Sequence, residues 1–272
     1  MPELPEVENV ARALRATVQG RRLTALQARH AGSFAPSPAA VRRAAVGRVL
    51  TDVHRHGKYL LLTFRGDDGG EGYVMLHLRM TGQLFFRPDY RPDRHVRAVL
   101  DFGGRRVFYR DLRKFGRWTV VEDPRRPAAM AHIGPDMLQV RFREWDRRAA
   151  RRRAPWKAVL LDQTVAAGLG NIYADEALFR AGLHPLLTPV ATPPAERRRL
   201  FDAARGVLRL AIRHGGTTFM DFVDFHGRPG NFRRKLRVFQ RQGEPCRRCG
   251  AVIERIRVAG RSTHFCPQCQ ER

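Results

Sequence analysis

The N-terminus carries residue types that could do covalent chemistry. The chain begins Met-Pro-Glu, so removal of Met1 would give Pro2 a free secondary amine. Because an α-amino group has a pKa of about 7.7–8.0, a useful fraction is uncharged near neutral pH. An uncharged amine can attack an electrophilic carbon such as C1′ of a sugar, and the iminium that follows accepts electrons during elimination. Glu3 and Glu6 lie close enough in sequence to move protons. The alternative interpretation is an ordinary helix start, for which Pro5 is typical.

The C-terminal segment contains a metal-ligand pattern. All four cysteines fall within residues 246–269, as two C-x2-C pairs separated by sixteen residues. Each pair places two thiolates on one side of a tight turn, and two such turns complete the tetrahedron that Zn²⁺ prefers. Four protein ligands leave no position for water, so this zinc would be structural. Two disulfides or unpaired thiols are the alternatives. The predicted ligands are Cys246, Cys249, Cys266 and Cys269.

The charge of the chain points to a polyanionic partner. Lys and Arg total 51 and Asp and Glu total 26, which gives a formal net charge of +25. This excess excludes an ordinary metabolic enzyme acting on neutral ligands and favours nucleic acid. The segment between the cysteine pairs suits phosphate contacts, with a solvated charged face as the alternative. Its candidate donors are Arg255, Arg257, Arg261, Ser262 and Thr263.

Other classes of protein are disfavoured by composition. A hydrophobic content of 43% is typical of a globular chain. No apolar run reaches the roughly 18 residues that a transmembrane helix needs. The acidic N-terminus does not resemble a signal peptide. Cysteines clustered for metal binding indicate a reducing compartment, and we expect a cytoplasmic protein with no membrane partner.

The periodicity changes along the chain from helix to strand and back to helix. Apolar residues at helical spacing predict a helix over Glu6–Val18, and a second one begins at Ser37-Pro38 and ends at Val46. Seven short strands with turn residues between them predict an antiparallel sandwich or barrel: Arg48–His54, Lys58–Arg65, Tyr73–Met80, Gln83–Arg87, His95–Phe102, Arg105–Arg110 and Arg117–Val121. Helices are then predicted at Trp156–Leu161, Asn171–Gly182, Pro194–His214 and Thr218–Phe225.

Seven motifs in chain order resemble the formamidopyrimidine-DNA glycosylase (Fpg) family, within the wider Fpg/Nei group. They are MPELPEVE at 1–8, HGKYL at 56–60, HLRMTG at 77–82, DLRKFG at 111–116, GLGNIYADE at 168–176, GGTT at 215–218 and GEPC at 243–246. Together they span the whole chain. The resemblance implies an α+β multidomain fold. We expect a catalytic β-sandwich domain with flanking helices over 1–122, a linker over 123–153, a helix–two-turn–helix DNA-binding domain with a lesion-capping loop over 154–236, and a zinc finger over 237–272.

The resemblance assigns catalytic roles to three residues. The amine of Pro2 would be the nucleophile that displaces the damaged base and holds the sugar as a Schiff base. Glu3 would be the proton donor, and Lys58 would assist elimination and bind the flanking phosphate. The alternative for Lys58 is a solvated strand end.

Further residues match the DNA-binding positions of the family. Extruding a nucleotide leaves a gap in the base stack, and Met80, Arg113 and Phe115 match the residues that fill it. Without the resemblance, Met80 and Phe115 would be assigned to the core. Asn171 lies in the segment that resembles the helix–two-turn–helix element and is a candidate phosphate ligand, with a simple helix cap as its alternative. Arg261 matches the arginine that grips phosphates around the lesion.

Two positions depart from the family pattern and one further segment matches it; of these, Ala154 and the segment bear on lesion preference. Ala154 and Lys114 depart from the lysine and arginine that are frequent there, whereas Phe225–Phe232 matches the loop that caps oxidised purines. We therefore expect a monomeric, bifunctional DNA glycosylase and abasic-site lyase. Its substrates would be 8-oxoguanine and formamidopyrimidines in double-stranded DNA, its only cofactor one structural zinc. The alternatives are a Nei-like glycosylase for oxidised pyrimidines and a non-catalytic DNA-binding protein on the same scaffold.

Overall fold

The computed structural model describes residues 2–124, 127–218, 225 and 230–271. The chain divides into two compact units. The first unit comprises Met1–Ala131 with His214–Asn231, and the second comprises His132–Arg213 with Phe232–Arg272. Among the described residues, no helix is both long and apolar enough to cross a membrane.

The first unit begins with a helix that buries one face. Helix α1 covers Leu4–Val18, and its apolar positions recur every three or four residues, so Val7, Val10 and Leu14 are buried together. The short helix α2 covers Pro38–Ala45, and the hydroxyl of Ser37 caps it by accepting the Ala40 N–H at 3.2 Å.

Nine strands of the first unit form two sheets. One sheet has the order β1-β7-β8-β6 and the other the order β2-β9-β5-β4-β3, and every pair is antiparallel except β2 with β9. The strands are β1 (Ala25–Ala28), β2 (Phe34–Ala35), β3 (Val49–His56), β4 (Tyr59–Arg65), β5 (Glu71–His77), β6 (Gly82–Phe86), β7 (Val96–Asp101), β8 (Arg106–Asp111) and β9 (Arg117–Val121).

The core of this unit contains side chains from both sheets and from α1. Alternation along β8 illustrates the packing. Val107 and Tyr109 belong to the main cluster, while Phe108 between them belongs to a second cluster with Phe85 and Val99. The expected β-sandwich with flanking helices is confirmed, as are all seven predicted strands within a few residues of their predicted ends.

The second unit is mainly helical. It contains α3 (Phe142–Ala149), α4 (Trp156–Leu161), α5 (Asn171–Ala181) and α6 (Pro194–Arg213). Trp145 of α3 stacks on Trp156 of α4 with ring centroids 5.6 Å apart, and both rings are fully buried. The C-terminal hairpin pairs β10 (Glu254–Val258) with β11 (Arg261–Phe265) in antiparallel register.

The structure differs from the sequence expectations in several segments. Strands β1 and β2 were not predicted, and α1 begins at Leu4 rather than Glu6. The predicted linker over 123–153 contains α3, which packs through the buried Trp145. The charged residues around Trp145 hid this apolar position in the sequence pattern. Residues 214–231 group with the first unit, although the sequence placed them in the 154–236 segment. The predicted helix Thr218–Phe225 lies mostly outside the described residues.

Candidate functional site

The N-terminal residues are buried and held by a glutamate. Pro2 and Glu3 are both buried. One carboxylate oxygen of Glu6 accepts the Glu3 N–H at 2.8 Å, and the other accepts the Thr217 N–H at 2.8 Å. The side chain of Glu6 therefore joins the start of α1 to the Gly-Gly-Thr-Thr segment and fixes the residue next to Pro2.

Gly216 shows how closely these two segments approach. Its φ is +81°, and a Cβ added there would lie 2.8 Å from Oε1 of Glu6. Only glycine adopts this conformation readily while leaving room for the carboxylate. The GGTT motif is thus explained by a close approach to the N-terminus, a reason that the sequence alone did not reveal.

Lys58 lies in the turn between β3 and β4 and is largely buried, with 8% of its surface exposed. Arg55 connects this turn to α1, because it donates to Oε2 of Glu8 at 2.7 Å and to the Gly57 carbonyl at 3.2 Å. Burial tends to raise the pKa of Glu8, but hydrogen bonds and charges from Arg55 and Arg12 outweigh it and lower that pKa. Sequence reasoning missed Arg55, whose link spans 47 residues.

His77 lies across the sheet from Tyr59, the residue that follows Lys58. The two rings meet edge to face with centroids 4.4 Å apart. Burial lowers the pKa of His77 to about 3, and the positive charges of Arg79 and Lys58 add to this effect. The imidazole is therefore neutral at physiological pH, and its Nδ1 accepts the Arg79 N–H at 2.9 Å.

The three candidate wedge residues lie on two neighbouring turns of the first unit. Met80 precedes β6, and Arg113 and Phe115 lie between β8 and β9. The Arg113 N–H donates to the Thr81 hydroxyl at 3.0 Å, so the two turns are in contact. Phe115 is 49% exposed, and the Arg113 guanidinium carbon lies 4.6 Å from the centre of its ring. An aromatic ring presented at a turn is suited to insertion between bases.

The four cysteine sulfurs form a site of the size that zinc requires. All four Sγ atoms lie within 4.8 Å of one another. Zn–S bonds of about 2.3 Å at tetrahedral angles place sulfurs about 3.8 Å apart. The pairs Cys246–Cys269 and Cys249–Cys266, at 4.0 and 3.4 Å, bracket this value. The donor set therefore fits one structural zinc ion.

The structure also brings together the two candidate phosphate ligands of the second unit. Asn171 is the first residue of α5, and its amide donates to the Ser262 carbonyl at 3.0 Å. Ser262 follows Arg261, an exposed residue at the start of β11. The N-terminus of α5 and the tip of the zinc hairpin thus form one local surface that combines the positive end of a helix with a guanidinium.

A buried ionic network supports this surface. The Lys157 ammonium donates to Oδ1 of Asp175 at 2.5 Å and to the Asn171 carbonyl at 2.9 Å. The other oxygen of Asp175 accepts the backbone N–H of His264 at 2.9 Å and lies 3.0 Å from its Nδ1. Asp175 therefore links α4, α5 and β11. Sequence reasoning assigned no role to it.

The lesion-capping loop is only partly described. Phe225 is buried in the core of the first unit, and its carbonyl accepts the Phe86 N–H at 2.7 Å. Residues 226–229, which form the middle of the predicted loop, lie outside the described residues.

Comparison with known proteins identifies the family. Residues 1–118 match the formamidopyrimidine-DNA glycosylase N-terminal domain, residues 133–223 match its H2TH domain, and residues 243–272 match the zinc finger found in FPG and IleRS. The chain belongs to the formamidopyrimidine-DNA glycosylase family. The resemblance seen in the sequence is therefore confirmed, as is the combination of β-sandwich, helix–two-turn–helix and zinc finger that it implied.

Two formamidopyrimidine-DNA glycosylases from bacteria match this chain over their full length. The formamidopyrimidine-DNA glycosylase of Methylococcus capsulatus is 42% identical over 276 residues, covering 99% of this chain and 100% of its own. That of Heliobacterium modesticaldum is 44% identical over 282 residues, covering 100% of both.

Solved Fpg structures share the whole fold. The MutM (Fpg) protein of Thermus thermophilus has a TM-score of 0.87 at 41% identity, covering 99% of this chain and 98% of its own. The Lactococcus lactis Fpg, solved with DNA containing an abasic site, has a TM-score of 0.91 at 32% identity, and the match covers both chains completely.

Proposed function

We propose that this Fpg family member excises oxidised purines, 8-oxoguanine and formamidopyrimidines, from damaged double-stranded DNA and then cleaves the resulting abasic site. The observation that carries the proposal is the buried Pro2-Glu3 start, anchored through both oxygens of Glu6. An anchored N-terminus holds a nucleophile in one place, and correct placement is a large part of catalysis. A binding module has no need for this arrangement.

Base excision requires Met1 to be removed, so that the nitrogen of Pro2 is a free amine. This nitrogen attacks C1′ of the damaged nucleotide while the bond from C1′ to the base breaks. Glu3 delivers a proton to the departing group. The Pro2 nitrogen then gives up its proton, the C1′–O4′ bond breaks with O4′ taking up a proton, and C1′ is left joined to Pro2 as an iminium, which is the Schiff base.

Strand cleavage follows because the iminium accepts electrons. Loss of a proton from C2′ expels the 3′ phosphate, and a second elimination expels the 5′ phosphate. Water then releases the sugar fragment from Pro2, and the DNA has a one-nucleotide gap. Lys58 binds the flanking phosphate and assists elimination, while the neutral His77 adds no charge.

The other candidate residues hold the DNA. Met80, Arg113 and Phe115 fill the gap left by the extruded nucleotide, which costs a few kcal/mol to create. Asn171 and Arg261 bind phosphates of the DNA backbone. The zinc bound by the four cysteines stabilises the hairpin that carries Arg261. We propose that the protein acts as a monomer in the cytoplasm, where bacterial DNA lies.

The test is single-turnover excision by variants of the two N-terminal residues. Glu3→Gln should slow release of 8-oxoguanine by roughly 10²–10⁴-fold, the usual contribution of acid–base catalysis, while DNA binding is unchanged. Pro2→Gly should lower excision severely and leave a residual rate, because glycine keeps a primary amine but loses the fixed ring and the secondary iminium. An uncleaved N-terminal extension should abolish excision, because an amide nitrogen cannot attack C1′.

Matched controls are Glu122→Gln and Pro88→Gly, since both residues are exposed in the same unit. Full activity of Glu3→Gln or of the extended protein would contradict the mechanism. A duplex containing thymine glycol separates the alternatives. Faster excision of thymine glycol than of 8-oxoguanine would favour the Nei-like function, and no excision of either lesion would favour the non-catalytic DNA-binding protein.

A further inference from the structure

Asp111 is a buried carboxylate between the two wedge turns. It is fully buried at the end of β8, and nothing in the proposed chemistry uses it. Its Oδ1 accepts the Thr81 hydroxyl at 2.5 Å and the Arg113 N–H at 3.2 Å. Its Oδ2 accepts the Gly116 N–H at 2.8 Å and the Tyr109 hydroxyl at 3.2 Å. One carboxylate thus contacts residues on both sides of Phe115 and the residue after Met80.

Both turns adopt backbone conformations that need external support. Arg79 and Lys114, next to Met80 and Phe115, have φ values of 55° and 60° although neither is glycine. The left-handed region is unfavourable for such residues, and they persist there when surrounding contacts hold them. The hydrogen bonds to Asp111 are contacts of this kind.

Gly116, the residue after Phe115, packs against Asp111 and Tyr109. A Cβ at this position would lie 1.9 Å from the Tyr109 hydroxyl oxygen and 3.2 Å from Oδ2 of Asp111. The turn after Phe115 is therefore packed directly against the carboxylate. On the other strand, Gly82 donates its N–H to the Leu78 carbonyl at 3.0 Å and closes the turn that contains Met80.

We propose that Asp111 is a positioning residue for base extrusion, which locks the Met80 turn and the Arg113–Phe115 turn into a single rigid wedge. Thr81 transmits the link, because its hydroxyl donates to Asp111 and also accepts the Arg113 N–H at 3.0 Å. The inference rests on the proposed function, since it assumes that these turns enter the base stack. Without the link, we expect both turns to keep their fold but to insert their side chains into the base stack at the wrong position.

The test uses Thr81, because Asp111→Asn would place an amide donor opposite the Arg113 or Gly116 N–H and so disturb more than the link between the turns. Thr81→Val keeps the shape of the side chain and removes the hydroxyl, and Thr81→Ser restores it. Two reactions are compared. Excision of 8-oxoguanine from duplex requires the wedge, whereas borohydride trapping on a single-stranded abasic oligonucleotide requires only the covalent chemistry, because no paired stack must open.

Thr81→Val should slow duplex excision roughly 10- to 100-fold, the effect of a small misplacement. Its single-strand trapping should stay within about twofold of the parent, and Thr81→Ser should restore duplex excision. In a Phe115→Ala background, Thr81→Val should cause a smaller further loss than in the parent, because one of the wedge residues that it orients is already absent.

Three results would overturn the proposal. One is equal loss in the two reactions, another is a Thr81→Ser variant as slow as Thr81→Val, and the third is full additivity with Phe115→Ala. Failure of the proposed function would look different, because the unmodified protein would then trap no abasic DNA at all.

Discussion

Two fully buried aspartates, Asp111 of the first unit and Asp175 of the second, lie beside elements that carry candidate DNA-binding residues, and the two differ in their partners. Among the described residues, the donors to the Asp111 carboxylate are uncharged, being hydroxyls and backbone N–H groups. Asp175 of the second unit accepts from the ammonium of Lys157, which is itself 0% exposed, and from His264. Asp111 contacts the two turns that carry the candidate wedge residues. Asp175 joins α4, α5 and β11 through a buried ion pair.

The difference in partners predicts a difference in consequence. Loss of a carboxylate that binds neutral donors leaves groups that can rearrange locally, at a cost set by their unmade hydrogen bonds. Loss of one member of a buried ion pair leaves an uncompensated charge, and the structure around it must unfold or neutralise it. We therefore expect Asp111 to position the two turns of the first unit and Asp175 to stabilise the fold of the second unit.

The largest expected effect is on the stability of the second unit. Asp175→Asn should lower the free energy of unfolding of this unit by about 3–5 kcal/mol, because Lys157 stays buried without an anionic partner. Chemical unfolding, followed together with zinc release, measures it. Adding Lys157→Met should recover part of the loss, since the double variant contains no buried charge at this point.

Asp202→Asn is the control, because its ion pair with Arg198 on α6 is exposed and contributes at most about 1 kcal/mol. If Asp175→Asn unfolds no more easily than this control, the proposed stabilising role of the buried pair is wrong.

A smaller effect distinguishes the phosphate-binding surface around Arg261 from the wedge around Phe115 in their contributions to DNA binding and excision. Arg261→Gln should weaken binding to undamaged duplex and reduce the slope of log K against log salt by about 1, because one phosphate contact is lost. Phe115→Ala should leave that slope unchanged and slow excision from duplex, because the wedge acts only when the base leaves the stack. Binding titrations at several salt concentrations and single-turnover rates distinguish the two. Equal losses of binding and excision in Phe115→Ala would reassign Phe115 to docking.

The sequence predicted the elements whose apolar residues repeat regularly. Seven of the nine described sandwich strands, β3 to β9, and helices α4 to α6 lie where alternation or helical spacing placed them. Helix α3 was missed because its apolar Phe142 and Trp145 stand among five charged residues, which resemble the arginine-rich segment before them. Strands β1 and β2 are four and two residues long, too short to show a period.

Candidate residues were predictable where local spacing or family resemblance marks them. The cysteine spacing alone indicated zinc, whereas Pro2, Glu3 and Lys58 needed the resemblance, and their roles stay proposals. The supporting residues were not predictable. Arg55, Asp111 and Asp175 each have at least one partner 30 to 89 residues away in sequence. Only the folded chain places such partners at hydrogen-bond distance, and a buried aspartate has no local sequence signature.

The most direct test of the mechanism is borohydride reduction of the enzyme on duplex DNA containing 8-oxoguanine, followed by peptide mapping of the adduct. The mechanism predicts one covalent adduct, located on the nitrogen of Pro2, in protein from which Met1 has been removed. An adduct on Lys58 would contradict the assignment of the nucleophile, and the absence of any adduct on 8-oxoguanine or abasic DNA would contradict the covalent mechanism itself.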